Sequence, residues 1–260
     1  MVERKIKMNP FLKNLNRIEF VVTMACSGKC MHCSQGEHKS SEHIDTALAA
    51  DAVHKIASQY NITSVMTFGG EPLLYPETVC AVHKAAKERG IAQRQLITNG
   101  FFSKDTDKMN LVADCLIESG VNEILLSADA FHQQTVPLEI VLSFAKAVQR
   151  YHTVQLQVHP AWLASPEADN VYNNKTREIL AVFNQLGIGT SEGNVIFPSG
   201  NALKYLSDYF DLSRLPENPY REDPTNIKAI CFSANGDILG SNIYKQDIRE
   251  ILSSYTPKGA

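Results

Sequence analysis

Long apolar runs are missing from this chain: no stretch approaches the ~18 consecutive apolar residues that a membrane-spanning helix needs. The N-terminus is basic (Arg4, Lys5, Lys7, Lys13, Arg17), yet no apolar run follows it. A secretory signal is therefore not expected, and the chain reads as cytoplasmic. An excess of one charge is lacking too. The 25 Lys and Arg against 28 Asp and Glu leave −3, which gives no reason to expect a nucleic-acid or membrane partner. No internal repeat, low-complexity tract or linker splits the 260 residues into units. What remains is an ordinary globular composition, 44% apolar and 20% charged, at a length an α/β barrel uses as one domain.

Cysteine is scarce except in one place. Three of the six crowd into residues 26–33, and the others, Cys80, Cys115 and Cys231, are scattered. That distribution excludes a disulfide framework of the secreted kind and is more typical of metal ligands. Cys115 lies on an apolar helical stripe and is expected to be buried; Cys80 reads as structural.

Short β-branched runs alternate with helix-period segments. Strands are predicted at 17–23, 63–68, 93–98, 123–127, 154–159 and 193–197. A helix at 46–59 enters at Asp45 and carries Ala49, Val53 and Ile56 on one stripe. Others follow at 77–89 and around Leu111 and Cys115. Two more carry Val141, Phe144, Ala145 and Val148, then Ile179, Val182, Phe183 and Leu186, at offsets 0, 3, 4 and 7.

Such alternation implies parallel strands joined by right-handed crossovers. A doubly wound sheet and a partial barrel both fit. Cys26, Gly70, Glu71, Asn99, Asp129 and His159 or Pro160 all fall at or just past strand C-termini, and five strands feeding one mouth favour the barrel. The expected fold is α/β, a partial (β/α)6 barrel over 17–200. A segment over 1–16 precedes it, and an extension over 201–260 packs on it within the same domain. In that extension, 227–233, the Asn235-Gly236 turn and 237–240 read as a hairpin, and a short helix follows near 246–254.

Residues 26–33 form a C-x3-C-x2-C loop directly after the first strand. Three thiolates can hold three irons of a cubane cluster, leaving the fourth iron free for a cofactor. Gly28 lets the loop fold tightly, and Lys29 could offset cluster charge. The competing reading is zinc, completed by His32, His38 or His43. Structural zinc usually takes two ligand pairs, and no second pair is present.

The loop resembles the signature of the radical S-adenosylmethionine superfamily, with His32 in its aromatic position. The resemblance runs from about residue 17 to 200. Gly69-Gly70-Glu71-Pro72 matches the family's GGEP motif, which receives the methionine amino group. Asn99 after strand three, and Ser127 and Asp129 after strand four, stand where the family makes further cofactor contacts.

Several expectations follow from that resemblance. Cys26, Cys30 and Cys33 hold one [4Fe-4S] cluster, which cleaves S-adenosylmethionine to a 5′-deoxyadenosyl radical that abstracts hydrogen from a substrate. A flavodoxin or ferredoxin serves as electron donor. By their chemistry, Gly69 and Gly70 offer carbonyls to an ammonium group, Glu71 adds charge toward it, and Asp129 accepts from ribose hydroxyls.

The branch most resembled modifies peptides, which makes a peptide or amino-acid-like substrate the leading expectation, with epimerisation or cross-linking as the reaction. A small molecule or cofactor precursor is the alternative, and a zinc-stabilised binding module without catalysis is the reading from another class. Unlike many members of that branch, the chain has only Cys231 beyond the barrel, too few for an auxiliary cluster. Cys231 is a candidate hydrogen-atom donor, its S–H bond being weaker than most C–H bonds; a buried, inert cysteine is the competing reading. His132, near the barrel mouth, reads as a substrate contact or a solvated loop histidine, and Ile196 and Phe197 as flanks for adenine or as core. His159 ends strand five, and Trp162 beyond it reads as packing, with a pocket wall as the alternative.

Overall fold

A computed structural model describes residues 8–37, 40–213, 218 and 221–257. Arg4, Lys5, Lys7 and His38 lie outside the described residues. In chain order the elements are β1 (Arg17–Val21), α1 (Thr46–Ala57), β2 (Ser64–Phe68), α2 (Pro76–Glu88), β3 (Gln93–Thr98) and α3 (Thr106–Ser119). β4 (Glu123–Leu126), α4 (Leu138–Gln149), β5 (Gln155–Val158), β6 (Ala161–Trp162), α5 (Val171–Gln185) and β7 (Gly189–Thr190) follow. The chain continues through β8 (Asn194–Val195), α6 (Asn201–Tyr205), β9 (Ala229–Phe232), β10 (Asp237–Ile238), β11 (Ser241–Asn242) and α7 (Ile248–Ser254).

Seven strands form one parallel sheet in the order β7-β5-β4-β3-β2-β1-β9, with β7 and β9 as its two edges. This is the expected partial barrel. Alternation sets its two faces. Ile18, Phe20, Val65, Leu96, Ile124 and Leu126 are fully buried in the main core. Arg17 marks the opposite, concave face. Its Nε donates to Glu19 Oε1 (2.6 Å), and its Nη1 donates to Gln95 Oε1 (2.7 Å) and Ser64 Oγ (3.2 Å), bracing three strands. Helices start where the sequence supplies caps: Asp45 accepts from Leu48 N–H ahead of α1, and Asn170 accepts from Tyr172 and Asn173 N–H ahead of α5.

Three expectations change. The strand predicted at 193–197 does not join the main sheet; β7 takes that place, and β8 pairs with β6 as a separate parallel pair. The reason lies at Pro160, which has no N–H to continue the ladder. Its carbonyl accepts instead from Asn194 N–H (2.9 Å), drawing both segments over the rim. The first strand of the predicted C-terminal hairpin is β9, which pairs with β1 across the whole molecule, while β10 turns back only on β11. Ile230 and Phe232 supply the reason: both are buried, and the Phe232 ring stacks on Phe20 at 4.7 Å. Burying such side chains stabilises by about 1.5–3 kcal/mol each. Cys115, expected in the core, is exposed on α3, whereas Cys80 on α2 is buried.

Candidate functional site

The C-terminal ends of the strands surround one cavity of about 250 Å³. Its lining includes Cys26, Cys30 and Cys33 together with Gly69, Gly70, Asn99 and Ser127, so seven of the candidate cluster and cofactor residues meet there. His32, His132 and His159 add imidazoles, and Val195, Ile196 and Phe197 close one side.

The two glycines are where they are for steric reasons. Gly70 N–H donates to the Thr23 carbonyl and Glu71 N–H to the Ala25 carbonyl, both at 2.8 Å, zipping the exit of β2 onto the cysteine loop. A Cβ on Gly70 would stand 2.1 Å from the Ala25 oxygen, and one on Gly69, with φ 147°, 2.6 Å from the Thr23 oxygen. No side chain fits either place.

Glu71 does not face the cavity. It is fully buried, with Oε1 accepting from Leu73 N–H (2.9 Å) and Thr98 Oγ1 (2.7 Å) and Oε2 from Asn99 N–H (2.8 Å). Burial pushes its carboxyl up to about 7, against the pull of those donors. It therefore ties the exit of β2 to that of β3, and Pro72 behind it is buried as well. Asn99, which Glu71 holds, points Nδ2 at Cys26 Sγ (3.5 Å) and Ser27 Oγ (3.3 Å).

Asp129 is likewise fully buried. Oδ1 accepts from the N–H groups of Phe131 and His132, and Oδ2 from Ala161 N–H and His132 Nδ1 (2.7 Å). With its lone pairs taken, it has no capacity left for a ribose hydroxyl. Burial opposes its charge, but His132 and the donors around it hold its carboxyl well below the usual range. The bond to Nδ1 orients the His132 imidazole, which lines the cavity. The sequence could not show this Asp–His pair, although Asp129 and His132 stand three residues apart.

Burial raises the thiols of Cys26, to about 11, and of Cys30 and Cys33, so metal binding must displace their protons. Among the described residues, the one group of three His, Cys, Asp or Glu donors lying within 4.8 Å of one another is His32, Asp129 and His132. The three cysteine sulfurs do not form such a group. Three thiols around one cavity are the donor set that a [4Fe-4S] cluster with one open iron takes. His32 packs on Phe131 and His132, at ring-centroid distances of 5.0 and 4.7 Å, rather than completing a zinc site.

Cys231 does not line this cavity. It lies on β9 level with Glu19 and on the same face, so it belongs to the concave side one side-chain layer below Val21. Trp162 is buried and donates Nε1–H to the Glu192 carbonyl, as packing requires.

A sequence profile described as the Radical SAM superfamily matches residues 20–158. A probable GTP 3′,8-cyclase of Saccharolobus islandicus is 25% identical over 213 residues, covering 80% of this chain and 65% of that protein. A probable GTP 3′,8-cyclase of Methanocaldococcus jannaschii is 23% identical over 125 residues, 48% of this chain and 40% of that protein. The chain thus spans less than two thirds of the length of these curated relatives. Among solved structures, Streptococcus suis SuiB bound to S-adenosylmethionine superimposes with a TM-score of 0.57 at 14% identity, covering 95% of this chain and 67% of that one. For anSMEcpe with bound AdoMet the TM-score is 0.58 at 12% identity, with 93% and 80% covered.

Proposed function

The chain belongs to the radical SAM superfamily, and on that premise we propose that it is an enzyme that holds one [4Fe-4S] cluster at this cavity and acts on a small molecule of low charge. The observation that carries this reading is the convergence of Cys26, Cys30 and Cys33 on one cavity shared with Gly69, Gly70, Asn99 and Ser127. Its cofactors are a [4Fe-4S] cluster and S-adenosylmethionine, which supply, when bound, one-electron cleavage of the sulfonium and hydrogen abstraction from the substrate.

The protein's own residues do the rest. The three cysteines ligate, Asn99 steadies Cys26, and Glu71 and Asp129 hold the rim from behind. The neighbouring cavity surface of Gly69, Gly70 and Ser127 receives the second cofactor.

The small-molecule reading draws on the curated relatives, which are named for a reaction of GTP. The peptide reading draws on a likeness of fold alone. GTP itself is not the proposed substrate. Among the described lining residues there is no Lys or Arg, and a triphosphate buried without cations is costly. Cys231 is the proposed hydrogen-atom donor for a substrate that reaches down the concave face. Cys231 is exposed rather than core-buried, yet desolvation by the chain packed around it, together with Glu19, pushes its thiol up to about 12, so it keeps its hydrogen at neutral pH.

Anaerobic reconstitution tests the reading. The expected result is about four irons per chain, lost when all three cysteines are replaced by alanine. Dithionite-reduced protein should form 5′-deoxyadenosine from S-adenosylmethionine. Stoichiometric zinc without iron, or S-adenosylhomocysteine without deoxyadenosine, would overturn it.

A further inference from the structure

We infer that Asn201, with Gly200 before it, is a positioning residue for the iron–sulfur cluster, acting through hydrogen bonds to the backbone of the cysteine loop. The inference rests on the reading that Cys26, Cys30 and Cys33 hold a cluster. Asn201 is 171 residues from Cys30 in sequence, yet its Nδ2 donates to the Cys30 carbonyl at 3.1 Å. Its backbone N–H donates to the Cys33 carbonyl at 2.9 Å. Both acceptors belong to ligating residues. Cys33 N–H also donates to the Cys30 carbonyl and Gly36 N–H to the Cys33 carbonyl, both at 3.2 Å.

Gly200 makes this approach possible. Its φ of 53° and ψ of −126° are closed to residues with a side chain. A Cβ there would stand 2.4 Å from the Ser34 oxygen, 2.6 Å from the Cys33 oxygen and 2.7 Å from the Gly36 nitrogen. The chain leaving the barrel therefore lies directly against the cysteine loop. Behind it, Ala202 and Leu206 pack with Phe131, Ala161, Leu163 and Ile196 in a second apolar cluster, which fixes α6 to the barrel. Asn201 is itself buried, so its donor is aimed rather than solvated.

The chemistry favours a donor at this place. Amide N–H groups donating to the carbonyls of two ligating residues draw electron density from the loop that would hold a cluster gaining negative charge on reduction. That arrangement stabilises the reduced state and holds the loop in its ligating shape. Leucine would fill a similar volume without donating. Aspartate would present only acceptors to a carbonyl.

The test compares holoenzymes of the wild type, Asn201→Leu, Asn201→Asp, Gly200→Ala and Leu203→Ala. Leu203 follows on the same helix but is 41% exposed. Two readouts need no substrate: the midpoint potential from EPR-monitored dithionite titration, and the rate of iron transfer to bathophenanthroline. Both Asn201 variants should shift the potential negative, Asp further than Leu, and speed iron transfer about 10-fold or more. Gly200→Ala should hold less iron per chain, and Leu203→Ala should match the wild type. Should Gly200→Ala not fold, the Asn201 pair still decides. Wild-type potentials in both Asn201 variants, or equal losses of iron with no change of potential, would reduce Asn201 to packing and overturn the inference. A wild type that binds no iron would bring down the cluster reading itself.

Discussion

At Glu71 a fully buried carboxylate meets three donors and no acceptor. Glutamine there would have to turn its NH₂ against at least one of those N–H or O–H groups. The Glu71→Gln variant should therefore lose about 1–3 kcal/mol of stability. Because Glu71 holds Asn99 at the cavity wall, S-adenosylmethionine affinity should fall in parallel. Urea titration and equilibrium binding on the same preparation check this. Weaker cofactor binding at unchanged stability would instead assign Glu71 a direct charge interaction with the ammonium group. The motif announces a glutamate beside two glycines; only its hydrogen bonds reveal that it acts from behind the wall.

Helix α2 carries a comparable surprise. His83 is fully buried, and its Nε2 pairs with Thr67 Oγ1 on β2 at 2.9 Å. Burial, with Arg94 adding a smaller effect, pushes the imidazole down to about 3. The unfolded chain, with an ordinary histidine near 6.5, takes up its proton first as pH falls. The stability due to neutral His83 is thus intact above pH 6.5 and is lost progressively as pH drops toward 3. Between pH 6.5 and 5 the loss should be about 2 kcal/mol. In His83→Leu this slope should flatten, even if that variant is less stable at pH 7.5. Parallel slopes for the two proteins in anaerobic urea titrations would show that other groups carry the acid sensitivity.

Across the whole molecule, the decisive connection is the pairing of β9 with β1, which brings residues 229–232 alongside residues 17–20. That pairing places Cys231 on the concave face instead of in a detached hairpin. Cys231→Ala should therefore still cleave S-adenosylmethionine but fail to complete product, and the wild type in deuterated water should place one deuterium in the product. After donation, one electron and one proton from the external reductant restore the thiol. Full turnover by Cys231→Ala with the same deuterium content would leave Cys231 as a bystander at the sheet edge.

The sequence by itself determined the superfamily, the parallel α/β alternation, the crowding of three cysteines after β1 and the strand ends around them. These depend on local periodicity and on motifs read within a few residues, where spacing and chemistry are joined by the covalent chain. It did not determine the directions of Glu71 and Asp129, the exposure of Cys115, the edge position of β9 or the contact of Asn201 with the cysteine loop. Each of those depends on which distant backbone and side-chain groups come within hydrogen-bonding or packing distance. Tertiary structure decided them, because a buried polar group takes its role from the partners that satisfy it, and those partners are distant in sequence.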